Sequence, residues 1–194
     1  MLNKSNINKE YEARVMVSED QYLEIRKKYL TSKNPKRDLI NVNHYYDTED
    51  RYLTHHHMVL RVREINEKEY ELTLKIKGEE CDLELNHSLT YDESQNINMV
   101  TAPEIIKELR ARNVDISSLK LVSTLKTERL EVKYEDYLLV IDKNYYNNKV
   151  DFNIEVESGS KKAAKCHLIE INSEFGIEYK EDYISKSRRA ILGL

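Results

Sequence analysis

The stretch Glu10-Tyr11-Glu12-Ala13-Arg14-Val15-Met16-Val17 alternates throughout. In an extended chain Glu10, Glu12 and Arg14 share one side, and Tyr11, Ala13, Val15 and Val17 the other, which is the two-residue period of a β-strand with one polar face. Glu155-Val156-Glu157, far along the chain, repeats the acid pair. Between the two, Arg61-Val62-Arg63 and Lys75-Ile76-Lys77 do the same with cations. Lining a strand face with like charges gains a protein little unless that face holds a ligand. Carboxylates and cations together suit a metal-bound polyphosphate.

Working outward, the alternation predicts further strands at 39–46, 59–65, 70–77, 82–86, 121–134, 137–143 and 151–158. In residues 70–77, Tyr70, Leu72, Leu74 and Ile76 oppose Glu71, Thr73, Lys75 and Lys77, and Gly78 marks the turn beyond. Ser18 with Gln21 three residues on opens a helix over 18–30, with Tyr22, Ile25 and Tyr29 at helical spacing. Thr101, read as an N-cap, with Pro103 and Glu104 opens another to about Arg112. Residues 160–175 form a third, with Gly176 placed as its C′ residue, and 183–192 a short terminal one. Residues 48–57 read as a polar loop. No βαβ rhythm is present. The polar faces are rich in Glu, Lys and Arg, with same-sign residues two apart, and a closed barrel with a charged lumen explains this better than an open sheet. The fold class is α+β: a closed eight-stranded antiparallel β-barrel with a few flanking helices, in a single domain over residues 1–194.

The 194 residues carry a formal net charge of -4, which gives no electrostatic reason to expect nucleic-acid binding. Charged residues make up 34% and hydrophobic ones 40%; the chain is polar, but its apolar residues are periodic, which argues against disorder. Cys81 and Cys166 form no CxxC, Met1–Glu10 is polar, and no apolar run reaches the roughly 20 residues that span a bilayer. A cytoplasmic protein without membrane association is expected. GxxxxGK[ST], GxGxxG and HExxH are all absent, which closes the P-loop, Rossmann and zincin routes. His55-His56-His57 lies in the expected loop and reads as a solvated turn. Cys166 and His167 are neighbours on a helix and point apart.

Mg²⁺ and Mn²⁺ prefer oxygen ligands, and a few carboxylates with substrate phosphates are their usual set. Glu10, Glu12, Glu155 and Glu157 supply such ligands if the first and the late strands are neighbours. Arg61, Arg63, Lys75, Lys77 and Arg129, with Arg14 and Lys133 as further candidates, supply phosphate contacts, since the Arg fork matches phosphate oxygens and Lys adds compact charge. The bland alternative is solvated strand faces carrying surface ion pairs, each worth about 0–1 kcal/mol.

These residues resemble the CYTH superfamily, the triphosphate tunnel metalloenzymes, whose hallmark is an N-terminal Glu-x-Glu-x-Lys strand. Further matches follow in order: Tyr45-Tyr46-Asp47-Thr48, Leu60-Arg61-Val62-Arg63, Leu72-Thr73-Leu74-Lys75-Ile76-Lys77-Gly78, Glu84, Thr127-Glu128-Arg129, Ile141-Asp142-Lys143, Asp151-Phe152-Asn153-Ile154-Glu155-Val156-Glu157 and Ser185-Lys186-Ser187-Arg188-Arg189-Ala190. The match covers nearly the whole chain and is most like the small stand-alone CYTH proteins of Gram-positive bacteria. It implies an eight-stranded tunnel and a metal-dependent enzyme of triphosphates, using Mg²⁺ or Mn²⁺. It also implies metal ligands at Glu10, Glu12, Glu155 and Glu157, with Asp142 and Glu84 as supporting acids. Phosphate contacts are implied at Arg14, Arg61, Arg63, Lys75, Lys77, Arg129 and Lys186, and catalytic roles at Glu10, Glu157 and Arg14. Arg14 stands where the family has Lys, and Arg does not exchange a proton near neutrality. The expected activity is a triphosphatase acting on a small-molecule triphosphate, inorganic triphosphate first. Class IV adenylate cyclase, thiamine triphosphatase and a polyphosphate or nucleotide binder without turnover are the alternatives, with a charged scaffold as the bland one. Both monomer and homodimer stay open.

Overall fold

The computed structural model describes residues 5–79, 81–180 and 184–194. Among them are nine strands: β1 (Ser5–Glu10), β2 (Glu12–Val17), β3 (Lys36–Asp47), β4 (Met58–Ile65), β5 (Glu69–Ile76), β6 (Asp82–Leu89), β7 (Lys120–Lys133), β8 (Tyr137–Tyr146) and β9 (Lys149–Ser158). The six helices are α1 (Glu19–Leu30), α2 (Tyr52–His55), α3 (Tyr91–Gln95), α4 (Pro103–Arg110), α5 (Lys161–Glu174) and α6 (Lys186–Leu192). The protein is α+β, with one sheet in the order β1-β6-β5-β4-β3-β7-β8-β9-β2. Nine strands stand where eight were expected, because the chain is already extended from Ser5 and breaks at Tyr11: β1 lies beside β6, whereas β2, which carries most of the expected first strand, lies beside β9. The two ends of the strand order are thus separated in the chain by Tyr11 alone. None of the helices described is long and apolar enough to cross a membrane.

The chain forms two compact units. The first comprises Asn41–Leu125 and Lys186–Leu194 with residues 5–9. Its core is Leu60, Val62, Leu72 and Leu74 from β4 and β5, with Leu85 of β6 and Ile105 and Leu109 of α4. Antiparallel registers place Leu60 opposite Leu74 and Val62 opposite Leu72, so the apolar positions of the alternating strands meet on one face. That leaves Arg61, Thr73, Lys75 and Glu84 to share the other.

The second unit comprises Glu10–Ile40 and Lys126–Ser185. On one face of β2, β7, β8 and β9, Ala13, Val15, Leu130, Val132, Leu139, Ile141, Ile154 and Val156 pack against α1 and α5, which bring Tyr22, Ile25, Tyr29, Ala164, Leu168 and Ile171. Both helices start where the sequence says. Ser18 and Gln21 close a reciprocal capping box on α1, and Ser160 caps α5. Gly176 follows the end of α5 at φ +63°, the left-handed conformation that glycine takes most readily.

Three expectations shift. Residues 48–57 contain α2, because Asp47 is buried and accepts from Thr48 N, Leu53 N, Thr54 N and Thr54 Oγ1 at 2.8, 2.9, 3.0 and 2.7 Å. Thr101 is not the N-cap of α4. Ala102 holds that place with Pro103 behind it, and Thr101 Oγ1 instead donates to Glu93 Oε1 at 3.1 Å. The terminal helix begins at Lys186, and Tyr183, in the range read for it, lies outside the described residues.

Candidate active site

In the second unit, β2 pairs with β9 so that Glu12 stands opposite Glu157 and Arg14 opposite Glu155. β7 pairs with β8 so that Arg129 stands opposite Asp142. Side chains directly opposite on an antiparallel ladder have Cβ atoms about 4.5–5.5 Å apart. The register alone therefore gathers residues that lie up to 145 positions apart in sequence (Glu12 and Glu157). Glu10 ends β1, and Tyr11 O, one residue on, accepts from Ser158 N at 3.1 Å beside the end of β9.

Two guanidiniums organise these acids. Arg129 donates its fork to Asp142, Nε to Oδ1 and Nη2 to Oδ2, both at 2.9 Å, with Glu155 Oε2 3.5 Å from Nη2. Burial works against its charge, but Asp142, Glu155 and Glu157 outweigh that and hold its pKa well above the ordinary value. Arg14 donates Nε to Glu155 Oε1 and Nη2 to Glu12 Oε1, the latter at 2.5 Å. Glu157 sits differently. Burial first, then the charge of Glu10, with smaller contributions from Glu155 and Glu12, pushes it up to about 8 against the opposing pull of Arg129.

The family resemblance implies a divalent ion here. The donor set is all oxygen, which suits Mg²⁺ or Mn²⁺. A carboxyl that burial and its acidic neighbours push up to about 8 is one that a divalent cation would return to its ionised form, so the residues present fit such an ion. Among the described residues, no three carboxylate, imidazole or thiol groups converge on one point in the arrangement seen. Arg14 holds one oxygen each of Glu12 and Glu155 in that arrangement.

In the first unit, Lys75 lies opposite Glu84 and Arg61 opposite Thr73. Lys75 Nζ is 3.1 Å from Asp82 Oδ2 and 3.7 Å from Glu84 Oε1, and Arg61 Nη2 is 3.9 Å from the same Glu84 oxygen. Burial pushes the Glu84 carboxyl up, but Arg61, Lys75 and Arg63, with a hydrogen bond from Asn86, win and hold it below its usual range. Arg63 Nε donates to Asn43 Oδ1 at 2.9 Å. Arg61 Nε is buried without a hydrogen-bond partner among the described residues. Lys77 lies just past β5 and is exposed, and Lys186 opens α6, half-buried.

A family profile for the CYTH domain matches residues 8–187. The chain belongs to the CYTH family. This CYTH chain is 30% identical, over 141 residues, to YjbK of Bacillus subtilis (strain 168), a protein named as a candidate triphosphatase; the match covers 72% of this chain and 73% of YjbK. A crystal structure from Bacillus halodurans, described as a candidate adenylate cyclase, is similar at 28% identity with a TM-score of 0.80, over 92% of this chain and 96% of that one. A Hippeastrum adenylyl cyclase candidate, described as having a dominant triphosphatase activity, shares the fold at 16% identity and a TM-score of 0.78, over 95% and 96% of the two chains.

The CYTH strands thus bring Glu12, Arg14, Arg129, Asp142, Glu155 and Glu157 together in the second unit, with Glu10 close enough for its charge to act on Glu157. Arg61, Lys75 and Glu84 meet in the first, where Glu84 is the counter-ion of a basic set. Sequence reasoning passed over a buried polar network beside the acids. Thr127 Oγ1 donates to Asn144 Oδ1 at 2.9 Å, and Asn144 Nδ2 donates to Asp151 and Asn153 at 2.9 and 2.8 Å. The available signal was the strand period, which puts Thr127 on the face of Arg129, and Asn153 on that of Glu155 and Glu157. His55, His56 and His57 are exposed, as a solvated turn requires, with the ring of His56 stacked on Tyr52 at 3.9 Å.

Proposed function

We propose that this protein is a metal-dependent triphosphatase, with inorganic triphosphate as its first substrate and Mg²⁺ or Mn²⁺ as its ion. The observation that carries the reading is the β2–β9 register, which opposes Glu12 to Glu157 and Arg14 to Glu155 on one polar face. Glu10, Glu12, Glu155 and Glu157 would hold the ion, with Asp142 in support through Arg129. When bound, such an ion supplies Lewis-acid charge against the phosphate oxygens and lowers the pKa of bound water. Arg61, Arg63, Lys75, Lys77, Arg129 and Lys186 bind and orient the phosphates, Arg61 with a buried Nε as a spare donor. Before an ion binds, Glu157, pushed up to about 8 by burial and by Glu10, would take or give a proton at its carboxylate. Glu84 keeps the basic set from self-repulsion until the substrate enters. The closed lumen and the single domain belong to this proposal as well.

The test is phosphate release from inorganic triphosphate, with and without Mg²⁺ or Mn²⁺, by wild type and Glu155→Gln. A metal-dependent rate that falls at least a hundredfold in the variant supports the reading; equal rates sink it. Incubation with ATP reports the cyclase alternative as cyclic AMP and the broader triphosphatase as ADP and phosphate; thiamine triphosphate tests the remaining substrate. A second reading, binding without turnover, draws on Arg14, whose guanidinium keeps its proton and holds Glu12 and Glu155 together. Tight triphosphate binding by calorimetry with no product would favour it.

A further inference from the structure

Beside the acids of the second unit runs a chain of side-chain hydrogen bonds whose direction is fixed by a carboxylate. Asp151 accepts from Tyr146 Oη at 2.6 Å and from Asn144 Nδ2 at 2.9 Å. A carboxylate is an acceptor, so Asn144 turns its NH₂ toward it, and its Oδ1 accepts from Thr127 Oγ1 at 2.9 Å. Asn144 Nδ2 also donates to Asn153 Oδ1 at 2.8 Å. Asn153 therefore has its carbonyl turned into the network and its NH₂ turned out of it. Exchanging the two ends of Asn153 would set one NH₂ against another. Asn153 is 0% exposed, and its Nδ2 has no hydrogen-bond partner among the described residues.

A buried donor without an acceptor costs free energy that nothing in the fold returns, and folded proteins rarely keep one. Asn153 precedes Glu155 by one strand period, so the two share the polar face of β9. Asp142 stands across the ladder on β8 and Met16 across the ladder on β2. Both oxygens of Asp142 accept from the Arg129 fork. Met16 is 36% exposed, and an unbranched thioether shifts easily. We propose that Asn153 is a substrate-binding residue, whose Nδ2 donates to a non-bridging phosphate oxygen of the triphosphate as Met16 moves aside. This inference rests on the triphosphatase reading above. A phosphate oxygen brings lone pairs and no proton, so it matches a group left with donors alone. An amide suits a place beside Glu155 and Asp142, because a lysine ammonium there would be drawn to the acids, whereas the neutral N–H keeps the direction that the network gives it.

Steady-state kinetics on inorganic triphosphate at saturating Mn²⁺ test this with wild type, Asn153→Leu and Asn153→Asp. The leucine keeps the branching and removes the donor; the aspartate keeps the oxygen that Asn144 uses and replaces the donor by an acceptor. Both should raise KM at least fivefold, and Asn153→Leu should change kcat threefold or less. A smaller rise in KM in either variant overturns the proposal, as does a loss confined to kcat and melting temperature, which is what a merely structural amide or one holding a trapped water gives. Wild type supplies a readout that needs no variant to fold. The side-chain amide ¹⁵N–¹H signals of Asn153 should move, and their exchange with water slow, when a methylene-bridged, non-hydrolysable triphosphate is added with Mg²⁺; unchanged signals in a protein that binds the analogue overturn the proposal. Wild type that neither binds nor hydrolyses triphosphate overturns the triphosphatase reading and this inference with it. Turnover by wild type with KM unmoved in the variants overturns this inference alone.

Discussion

Glu12 stands directly across the β2–β9 ladder from Glu157, acid against acid. Like charges opposite each other destabilise a ladder, and here the cost appears in Glu157, whose pKa is pushed up to about 8 by burial and by Glu10, with Glu155 and Glu12 adding to it. Unfolding returns that carboxyl to about 4.5. Between these values the folded protein binds the extra proton, so stability falls as pH rises through roughly 4.5 to 8, by a few kcal/mol in all. A divalent ion favours the ionised form and opposes that loss. The expected result is a melting temperature that drops from pH 5.5 to pH 8.5 in chelator, and a Mn²⁺ stabilisation larger at pH 8.5 than at pH 5.5. Glu157→Gln should flatten the chelator profile. Differential scanning calorimetry at the two pH values checks both.

Arg129→Leu should be far more destabilising than its position on a polar face suggests. Asp142 is 0% exposed and receives both arms of the Arg129 fork. Removing the arginine leaves a buried carboxylate without those donors, a loss of about 3–5 kcal/mol. Arg129→Leu combined with Asp142→Leu should recover much of it, because no buried charge is left behind. Urea unfolding of the single and double variants measures this; a double variant no more stable than the single would show that the pair is not the source.

Sequence legibility followed the range of the interaction. β5 was readable because Leu72 and Leu74 alternate with Thr73 and Lys75, and α1 because Ser18 and Gln21 cap it within one turn. α3 escaped notice although Thr90 and Glu93 form a complete capping box, since Tyr91-Asp92-Glu93-Ser94-Gln95 carries no apolar stripe to mark it as helix. The acid pairs themselves were legible as strand faces. That Glu12 meets Glu157 while Arg14 meets Glu155 was not, because register between strands so distant in sequence is set by tertiary packing. The same holds for Glu84, whose place as counter-ion follows from standing opposite Lys75.

Gly78→Ala should disturb the turn between β5 and β6. A Cβ added at Gly78 would lie 2.2 Å from the carbonyl oxygen of Cys81, so the backbone must move. Asp82, which opens β6 just after that turn, has its carboxylate 3.1 Å from Lys75 Nζ. A cost of about 1–3 kcal/mol is expected, together with weaker triphosphate binding as Lys75 and Glu84 lose their alignment. Gly159→Ala, where an added Cβ meets nothing within 4 Å, is the control and should leave binding unchanged. Chemical denaturation and calorimetric titration of both variants decide whether the motif glycine is there for space.

Asn172→Leu should stabilise the protein. Asn172 lies in the last turn of α5 and is 1% exposed, yet neither its Oδ1 nor its Nδ2 has a hydrogen-bond partner among the described residues. A buried amide without partners carries a desolvation penalty of about 1–3 kcal/mol per group. Leucine has the same branching and number of side-chain heavy atoms, no polar atoms and a higher helix propensity. The backbone is not at risk, since Asn172 O accepts from Phe175 N and Ile177 N at 3.1 and 2.9 Å whatever the side chain. Each kcal/mol raises the melting temperature of a chain this size by about 2–4 °C, so a rise of several degrees is expected. A fall would mean that the amide serves a partner that the leucine cannot replace. Because Asn172 is on the helix that packs against the apolar face of β2 and β9, triphosphate turnover should be unaffected while stability rises.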